Sequence, residues 1–409
     1  MAMRWSASGD PRAAHRRFPF AVWMEADFHR MLSADDWLPV VSGFDAVVNC
    51  VGAFQTGSRD RLDRIHVEAP AALFAACERA GVRQVIHFSA TGAETESPTE
   101  FGRTKAAAER ALRATKLDWL ILRPGVVIAP AVYGGSALLL GLAGVPLRTP
   151  LIAAGRPIQV VAIDDVAETV AWAFGPGAAV RASFELVHPQ ALGLREIVTG
   201  YRRWLGFASQ PVWALPALLT RIVAAGADAL GWLGWRSPAR STGFAQLAAG
   251  VSGDPGLWMR ETGIRPRSFD DILAQRPATA QDRWFARLYG LKPLAIACLA
   301  LFWIATGVIA LTAGYSASLG YLTEAGFGTG VAQATVIGGA VFDIALGLLL
   351  LVRRLAKPVL ITMLVATVFY VLAGTLIAPQ LWIDPLGALT KILPMLLATL
   401  FTLAVIDER

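Results

Sequence analysis

Residues 82–123 read VRQVIHFSATGAETESPTEFGRTKAAAERALRATKLDWLILR. A run rich in Val and Ile, 82–89, passes through a polar Gly/Thr/Ser/Pro stretch into an Ala-rich segment, 101–115, and a second apolar run, 117–123, closes the unit. Strand, helix and strand at this spacing are the repeat of a parallel sheet covered by helices. The same alternation extends both ways. Upstream, DAVVNCV at 45–51 is apolar on both faces, as a buried strand is, and a helix follows through 67–80. Downstream, 158–163 and 184–187 read as later strands. The fold class expected of the first part of the chain is α/β, a doubly wound parallel sheet.

A second architecture begins near Pro293. Four apolar runs, 293–313, 331–352, 358–378 and 386–406, each approach the roughly 20 residues a bilayer-spanning helix requires. Asp343 and Lys391 are the only charges inside them. Arg276, Arg283, Arg287 and Lys292 precede the first run, and Arg353, Arg354 and Lys357 separate the second from the third. The other two connectors carry only Glu324 and Asp384. Because Lys and Arg collect on the cytoplasmic side, both ends of this four-helix bundle and everything before it are expected in the cytoplasm. With Arg far outnumbering Lys and Ala abundant, the expected location is a bacterial inner membrane, and the lipid bilayer is the first partner.

The formal charge of +6 belongs to the first 292 residues, since acids and bases balance beyond them. A basic cytosolic part is drawn to an anionic leaflet. No nucleic-acid partner is expected, because no Lys/Arg block or basic helix interleaved with aromatics occurs. Cys50, Cys77 and Cys298 form no CxxC, which suits a reducing compartment and excludes a Cys-rich zinc site. No metal is expected. The N-terminus has no apolar core of a secretory signal.

A sheet of this kind normally opens on a strand, a glycine-rich turn and a helix whose N-terminus holds a pyrophosphate. That unit is absent: Gly9 stands alone before Gly43, and no GxGxxG or GxxGxxG occurs in the first hundred residues. Either the natural start of the fold lies upstream of Met1, the reading favoured here, or the fold begins at its second strand. The first alternative predicts a gap in the sheet with unpaired strand edges.

Several motifs in order resemble one family. Asn49-Cys50-Val51-Gly52 at a strand end is similar to the Asn-Ala-Gly turn of short-chain dehydrogenase/reductases. Ser89 after the next strand, Lys105 in the next helix and Arg123-Pro124-Gly125 fall where that family has its serine, lysine and turn after the sixth strand. Ile163-Asp164-Asp165-Val166-Ala167 resembles an element of the extended and atypical, NmrA-like branch. The membrane part resembles DoxX-like domains, and reductases fused to such domains share the Gly231-Trp232-Leu233-Gly234-Trp235 kind of connector. The resemblance implies a Rossmann-like sheet lacking its first βα unit, and NAD or NADP as cofactor, with binding weakened by the missing loop. The expected organisation is an NAD(P)-binding domain at 1–205, a connecting and partly interfacial helical segment at 206–292, and a DoxX-like domain at 293–409. Within the first, 6–11 resembles the end of a second strand and 22–27 a third strand that sets Asp27 near the adenine.

The same resemblance assigns the candidate site. Asn49 and Gly52 let the backbone approach the cofactor ribose, or else form an ordinary strand-end turn. Ser89 orients a carbonyl or the nicotinamide amide, or satisfies a local backbone group. Lys105 holds ribose, with Pro124 and Asp27 completing the cofactor contacts. The family's Tyr-x-x-x-Lys pair places two side chains on one helix face, but here the pentad is Phe101-Gly102-Arg103-Thr104-Lys105. Phenylalanine has no proton to give, so the ordinary carbonyl mechanism loses an acid usually worth about a hundredfold or more in rate. Tyr133 is the nearby phenol that remains, as a replacement acid or a packing residue. Asp164 and Asp165 are expected to cap the helix that follows.

The expected activity is membrane-anchored, NAD(P)H-dependent oxidoreduction of a hydrophobic substrate such as a quinone or a lipid. The alternative is a non-catalytic dinucleotide sensor or assembly subunit, as a homo-oligomer or beside a membrane redox partner. The apolar stretch 211–235 is expected to lie at the interface with Trp213, Trp232 and Trp235 near the headgroups, or to be buried. Asp343 is expected to be protonated, to meet a polar partner such as Thr or Gln, or to serve a ligand.

Overall fold

The computed structural model describes residues 2–5, 21–57, 60–152, 157–385 and 387–407. Two compact units divide the chain. The first comprises Met1–Asp228 with Ser237–Arg283, and the second Ala229–Arg236 with Trp284–Arg409.

The first unit is built on parallel strands. β1 (Ala2–Trp5) pairs with β2 (Val22–Glu25). β3 (Ala46–Asn49), β4 (Gln84–Phe88) and β5 (Asp118–Pro124) form a four-stranded sheet that ends on a strand from further along the chain. Three strands intervene in sequence: β6 (Val126–Ile128), β7 (Thr149–Leu151) and β8 (Val160–Ala162). β9 (Ala182–Leu186) then closes the order β3-β4-β5-β9. β6 pairs with β8, and β7 with β10 (Val212–Ala214).

Side chains along the central strands divide between two cores, as a period of two requires. Val85 and Ile121 join Trp37, Phe74 and Leu112 on one face. Ile86, Leu120 and Leu122 join Phe184, Leu186 and Trp258 on the other. Both faces are covered, which is why these strands read as unbroken apolar runs. Trp258 is fully buried, and its indole N–H donates to Thr169 Oγ1 at 3.0 Å, so residues well beyond 205 belong to this core.

β1–β2 and the four-stranded sheet are separate, and β3 pairs on one side only among the described residues. Met24 of β2 and Val47 of β3 nevertheless pack against the same core. Residues 6–11, expected as the end of the second strand, lie outside the described residues.

In the second unit three helices are long and apolar enough to cross a membrane: Ala280–Leu311, Thr329–Leu350 and Ala356–Ile377. The fourth apolar run forms a helix only over Ile392–Val405, about 21 Å at 1.5 Å per residue, which is shorter than the expected span. Pro394 falls in the first turn of this helix, where a missing N–H breaks no intrahelical hydrogen bond. A short helix, Tyr315–Glu324, fills the first connector, where none was expected.

Cations gather at one end of this unit. Lys292 Nζ and Arg353 Nη2 each donate to the Ile406 carbonyl at 3.1 Å, and Lys357 pairs with Asp407. The start of the first span, the second connector and the chain's last turn therefore share one end. Trp235 donates to the Leu351 carbonyl at 2.6 Å and lies beneath the Arg353 guanidinium. The helix Ala217–Trp232 leaves Leu218, Ile222, Val223 and Trp232 exposed.

Candidate functional site

β3 ends on Asn49, which stands opposite His87 in the β3–β4 register. The Asn49 amide Nδ2 donates to His87 Nδ1 at 3.2 Å, and Oδ1 accepts from Val51 N at 3.1 Å. Both ends of the amide are thus committed to shaping the turn into Gly52. Because Nδ1 of His87 accepts, a neutral His87 carries its proton on Nε2, which is buried without a partner.

His66 reaches the same turn from a π-helical segment, Asp63–Glu68, ahead of the helix Ala69–Ala80. Its Nε2 accepts from Ala53 N at 3.1 Å, and Nδ1 donates to Thr104 Oγ1 at 2.9 Å, which passes its own proton to the Glu100 carbonyl. Burial pushes the His66 pKa down to about 2, with the Lys105 charge as a lesser cause. Burial likewise holds His87 well below the usual imidazole range. Both rings are neutral near pH 7.

Lys105 lies on the helix Glu100–Arg113 and is 5% exposed. Its ammonium donates to the Phe88 carbonyl at the end of β4, at 2.8 Å. Burial pulls its pKa from 10.5 to about 8, while Cys50 and Glu109 act in the opposite direction. A Cβ at position 52 would stand 3.2 Å from Lys105 Nζ and 3.4 Å from His66 Nε2. Only glycine leaves that small space beside the ammonium open.

Phe101, one turn before Lys105, packs against Phe54 with ring centres 5.1 Å apart and meets His66 edge-on at 5.6 Å. Ser89 follows β4. Its backbone N–H is tied to the Leu122 carbonyl at 2.8 Å, yet its hydroxyl is buried with no partner. Thr91 N and Oγ1 both donate to the Pro124 carbonyl, at 3.2 and 3.4 Å, which fixes the loop after β4 to the end of β5.

The strand ends thus bring together Asn49, Gly52 and Lys105, with Ser89 and Pro124 at the ends of the next strands. Two expected members stand apart. Asp27 is engaged within its own turn, accepting from His29 N at 2.8 Å and facing Arg30 at 3.4 Å. Tyr133 is 61% exposed, and its backbone bonds go to Ser136 in its own turn rather than to the cluster. The caps expected from Asp164 and Asp165 are replaced by pairing with Arg267: its backbone N–H and guanidinium both meet Asp165, at 2.9 and 2.8 Å.

Sequence reasoning missed His66, His87, Phe54 and Thr104, and also the return of residues 237–250 over these loops. Gln55 donates to the Ser237 carbonyl, Arg240 to the Thr56 carbonyl, and Thr99 to Gln246. The sequence signal for that return was slight, a Gly and Gln in an Ala-rich helix. Beneath the site, Arg123 donates twice to buried Glu109, at 2.8 and 2.6 Å, and once to Glu185 at 2.9 Å.

Parallel strands with helices between them, their ends carrying the Asn49–Gly52 turn, Ser89 and the buried Lys105, make a Rossmann-like fold. Residues 24–138 match the NAD(P)H-binding family model, and residues 300–400 match the DoxX-like family model. The chain is therefore a membrane protein that joins an NAD(P)H-binding domain to a DoxX-like domain. Among solved structures it is similar to gox2253, with 18% identity and a TM-score of 0.52, covering 70% of this chain and 91% of that one. The UDP-glucose 4-epimerase of Thermotoga maritima is similar at 14% identity and TM-score 0.48, covering 66% and 88%. So is the Bordetella bronchiseptica enzyme WbmG, crystallised with NAD and UDP, at 16% and 0.46, covering 62% and 77%. No curated protein matches.

The residues fit one half of a nicotinamide dinucleotide. The space at Gly52, the Lys105 ammonium and the unpartnered Ser89 hydroxyl suit the ribose and nicotinamide. For the pyrophosphate, no glycine-rich turn opens a helix after a first strand among the described residues.

Proposed function

We propose that this protein is a membrane-anchored NAD(P)H-dependent oxidoreductase whose acceptor is a hydrophobic molecule, a quinone or a lipid. The observation that carries this reading is the Phe101 ring, which fills the place of a phenol beside an otherwise equipped Ser89 and Lys105. When bound, the nicotinamide supplies a hydride. Lys105 holds the ribose hydroxyls, Ser89 donates to a carbonyl or amide oxygen, and Asn49 keeps the turn at Gly52 in shape. The aromatic pair Phe54 and Phe101 excludes water beside them. A conjugated ring takes a hydride without a phenol poised at one carbonyl, so quinone reduction suits the loss of the acid.

The DoxX-like helices supply the reason for an apolar acceptor. On this reading the end bearing Lys292, Arg353 and Lys357 faces the cytoplasm of a bacterium, at the inner membrane. The exposed apolar face of Ala217–Trp232 lies in the headgroup region. Purified full-length protein in lipid vesicles should oxidise NADPH or NADH when given a quinone or a lipid carbonyl. Cofactor binding with no oxidation by either would sink the reading.

A second reading, a dinucleotide sensor or assembly subunit in a homo-oligomer or beside a redox partner, is favoured by Phe101, which stands where a phenol would give a proton. It predicts cofactor binding with no turnover on any acceptor.

A further inference from the structure

We propose that His66 is a positioning residue of the dinucleotide site: its imidazole ties the turn at Gly52 to the helix that carries Lys105 and so sets the gap that receives the cofactor ribose. The inference rests on the cofactor half of the reading above and is independent of the acceptor.

Three segments distant in sequence meet at this ring. Ala53 follows the turn after β3, His66 lies in the π-helical segment Asp63–Glu68, and Thr104 and Lys105 are neighbours on Glu100–Arg113. The ring is 1% exposed and both of its nitrogens are used. Nε2 accepts from Ala53 N at 3.1 Å, so Nδ1 carries the proton and donates to Thr104 Oγ1 at 2.9 Å. The Thr104 hydroxyl passes its own proton to the Glu100 and Phe101 carbonyls, at 2.9 and 3.1 Å. The chain of bonds therefore ends on the first turn of the helix that presents Lys105.

The turn is pinned on both sides of its glycine. Asn49 Oδ1 holds Val51 N at 3.1 Å, His66 holds Ala53 N, and Gly52 lies between these two points. The space left at Gly52 is bordered by the same groups, since an added Cβ would stand 3.4 Å from His66 Nε2 and 3.2 Å from Lys105 Nζ. Lys105 is fixed from the other direction by the Phe88 carbonyl at 2.8 Å. Without the bond from Ala53 to His66, the far side of the turn has nothing to set its distance from the ammonium.

The ring's chemistry suits this task and no proton transfer. Burial, with the Lys105 and His87 charges as lesser causes, holds the His66 pKa down at about 2, so Nε2 remains an acceptor at every pH at which the site works. The apolar core beneath is filled by Leu73, Phe74 and Cys77 of the helix that follows, so His66 serves the turn rather than the core. The π-helical turn that carries it is of a kind that is rare and recurs at functional sites.

The test uses full-length protein in lipid nanodiscs, with NADPH and NADH titrated calorimetrically into the parent, His66→Gln, His66→Asn and His66→Leu. Gln sets an amide oxygen at the same reach from Cβ as Nε2, so it keeps an acceptor for Ala53 N, and affinity should stay within about threefold of the parent. Asn reaches only as far as Nδ1 and Leu accepts nothing; both should bind at least about tenfold more weakly. Hydrogen exchange of the peptide spanning 49–56 should quicken in these two variants alone. The pH at which affinity fades, about 8 through Lys105, should stay in place in every variant, because an uncharged group has been exchanged for another. If His66→Leu does not fold by circular dichroism, His66→Asn against His66→Gln decides. Affinity equal to the parent's in all variants, a loss in His66→Gln as large as in His66→Asn, or losses that only follow melting temperature would overturn the proposal. So would a parent that binds neither dinucleotide. Oxidation of the bound cofactor is measured in parallel: the expected binding pattern without oxidation contradicts the oxidoreductase reading alone, and oxidation with affinity indifferent to His66 contradicts the positioning role alone.

Discussion

The rings of Phe101 and neutral His66 meet in a T-shape, with centres 5.6 Å apart and planes at 74°. The ring is held where a tyrosine would offer its hydroxyl, one helical turn from Lys105. Phe101→Tyr should therefore confer reduction of simple ketones or aldehydes, by about a hundredfold over the parent. Cofactor affinity and quinone reduction should change by no more than about twofold. Parallel rate assays on both acceptor classes check this; a quinone rate that rises as much as the ketone rate would show that the phenol matters to the native reaction.

Lys105 gives the site a pH signature. Its pKa of about 8 in the folded chain lies below the ordinary 10.5, so the unfolded chain binds more protons between those values and stability rises with pH across that window. Dinucleotide affinity should move the other way, weakening as pH climbs through about 8 and the ammonium is lost. Calorimetric titration across pH 6.5–9.5 should show this slope in the parent and a flat, weaker profile in Lys105→Gln.

At pH 7, Lys105→Met removes a buried ammonium, at a gain of roughly 3 kcal/mol, and strands the Phe88 carbonyl, a loss of similar size. Melting temperature should stay close to the parent's while dinucleotide binding falls below detection. A large drop in stability would make Lys105 a structural residue.

Gly52→Ala sets a methyl 3.2 Å from Lys105 Nζ and 3.4 Å from His66 Nε2. The flexible lysine tip yields by a few tenths of an ångström, so the fold should survive. Affinity for NADPH or NADH should fall by about tenfold, read by fluorescence titration; unchanged affinity would move the ribose away from this turn.

Glu109 is 1% exposed and depends on Arg123, whose guanidinium also reaches Glu185. Arg123→Met leaves a buried carboxylate with only Arg113 for a partner. Stability should fall by about 3 kcal/mol, seen as a melting temperature lower by roughly 6–12 °C in thermal scans.

The strand-helix-strand reading survived in detail because β4 and β5 are covered on both faces, where a short, unbroken Val/Ile/Leu run between turn residues is what a buried strand requires. Asn49, Gly52, Ser89 and Lys105 were legible because each sits at a strand end or a fixed helical offset. His66 and His87 were not: their roles come from hydrogen bonds between residues tens of positions apart, which periodicity does not encode. Asp27 looked like a ligand at a strand end, but its carboxyl is satisfied by His29 and Arg30 in its own turn. The fourth membrane run was readable as apolar, whereas the point at which its helix begins, Ile392, has no clear mark in the sequence. Tyr370, whose hydroxyl donates to Asp343 Oδ1 at 2.7 Å, was missed for a similar reason: one tyrosine among apolar residues carries no mark of the face it presents.

The most direct test is stopped-flow oxidation of NADPH and NADH by the full-length protein in quinone-loaded vesicles. The account predicts cofactor-saturable, quinone-dependent oxidation that Lys105→Gln abolishes and Phe101→Tyr leaves nearly unchanged. Tight cofactor binding with no oxidation under any quinone or lipid carbonyl would contradict it.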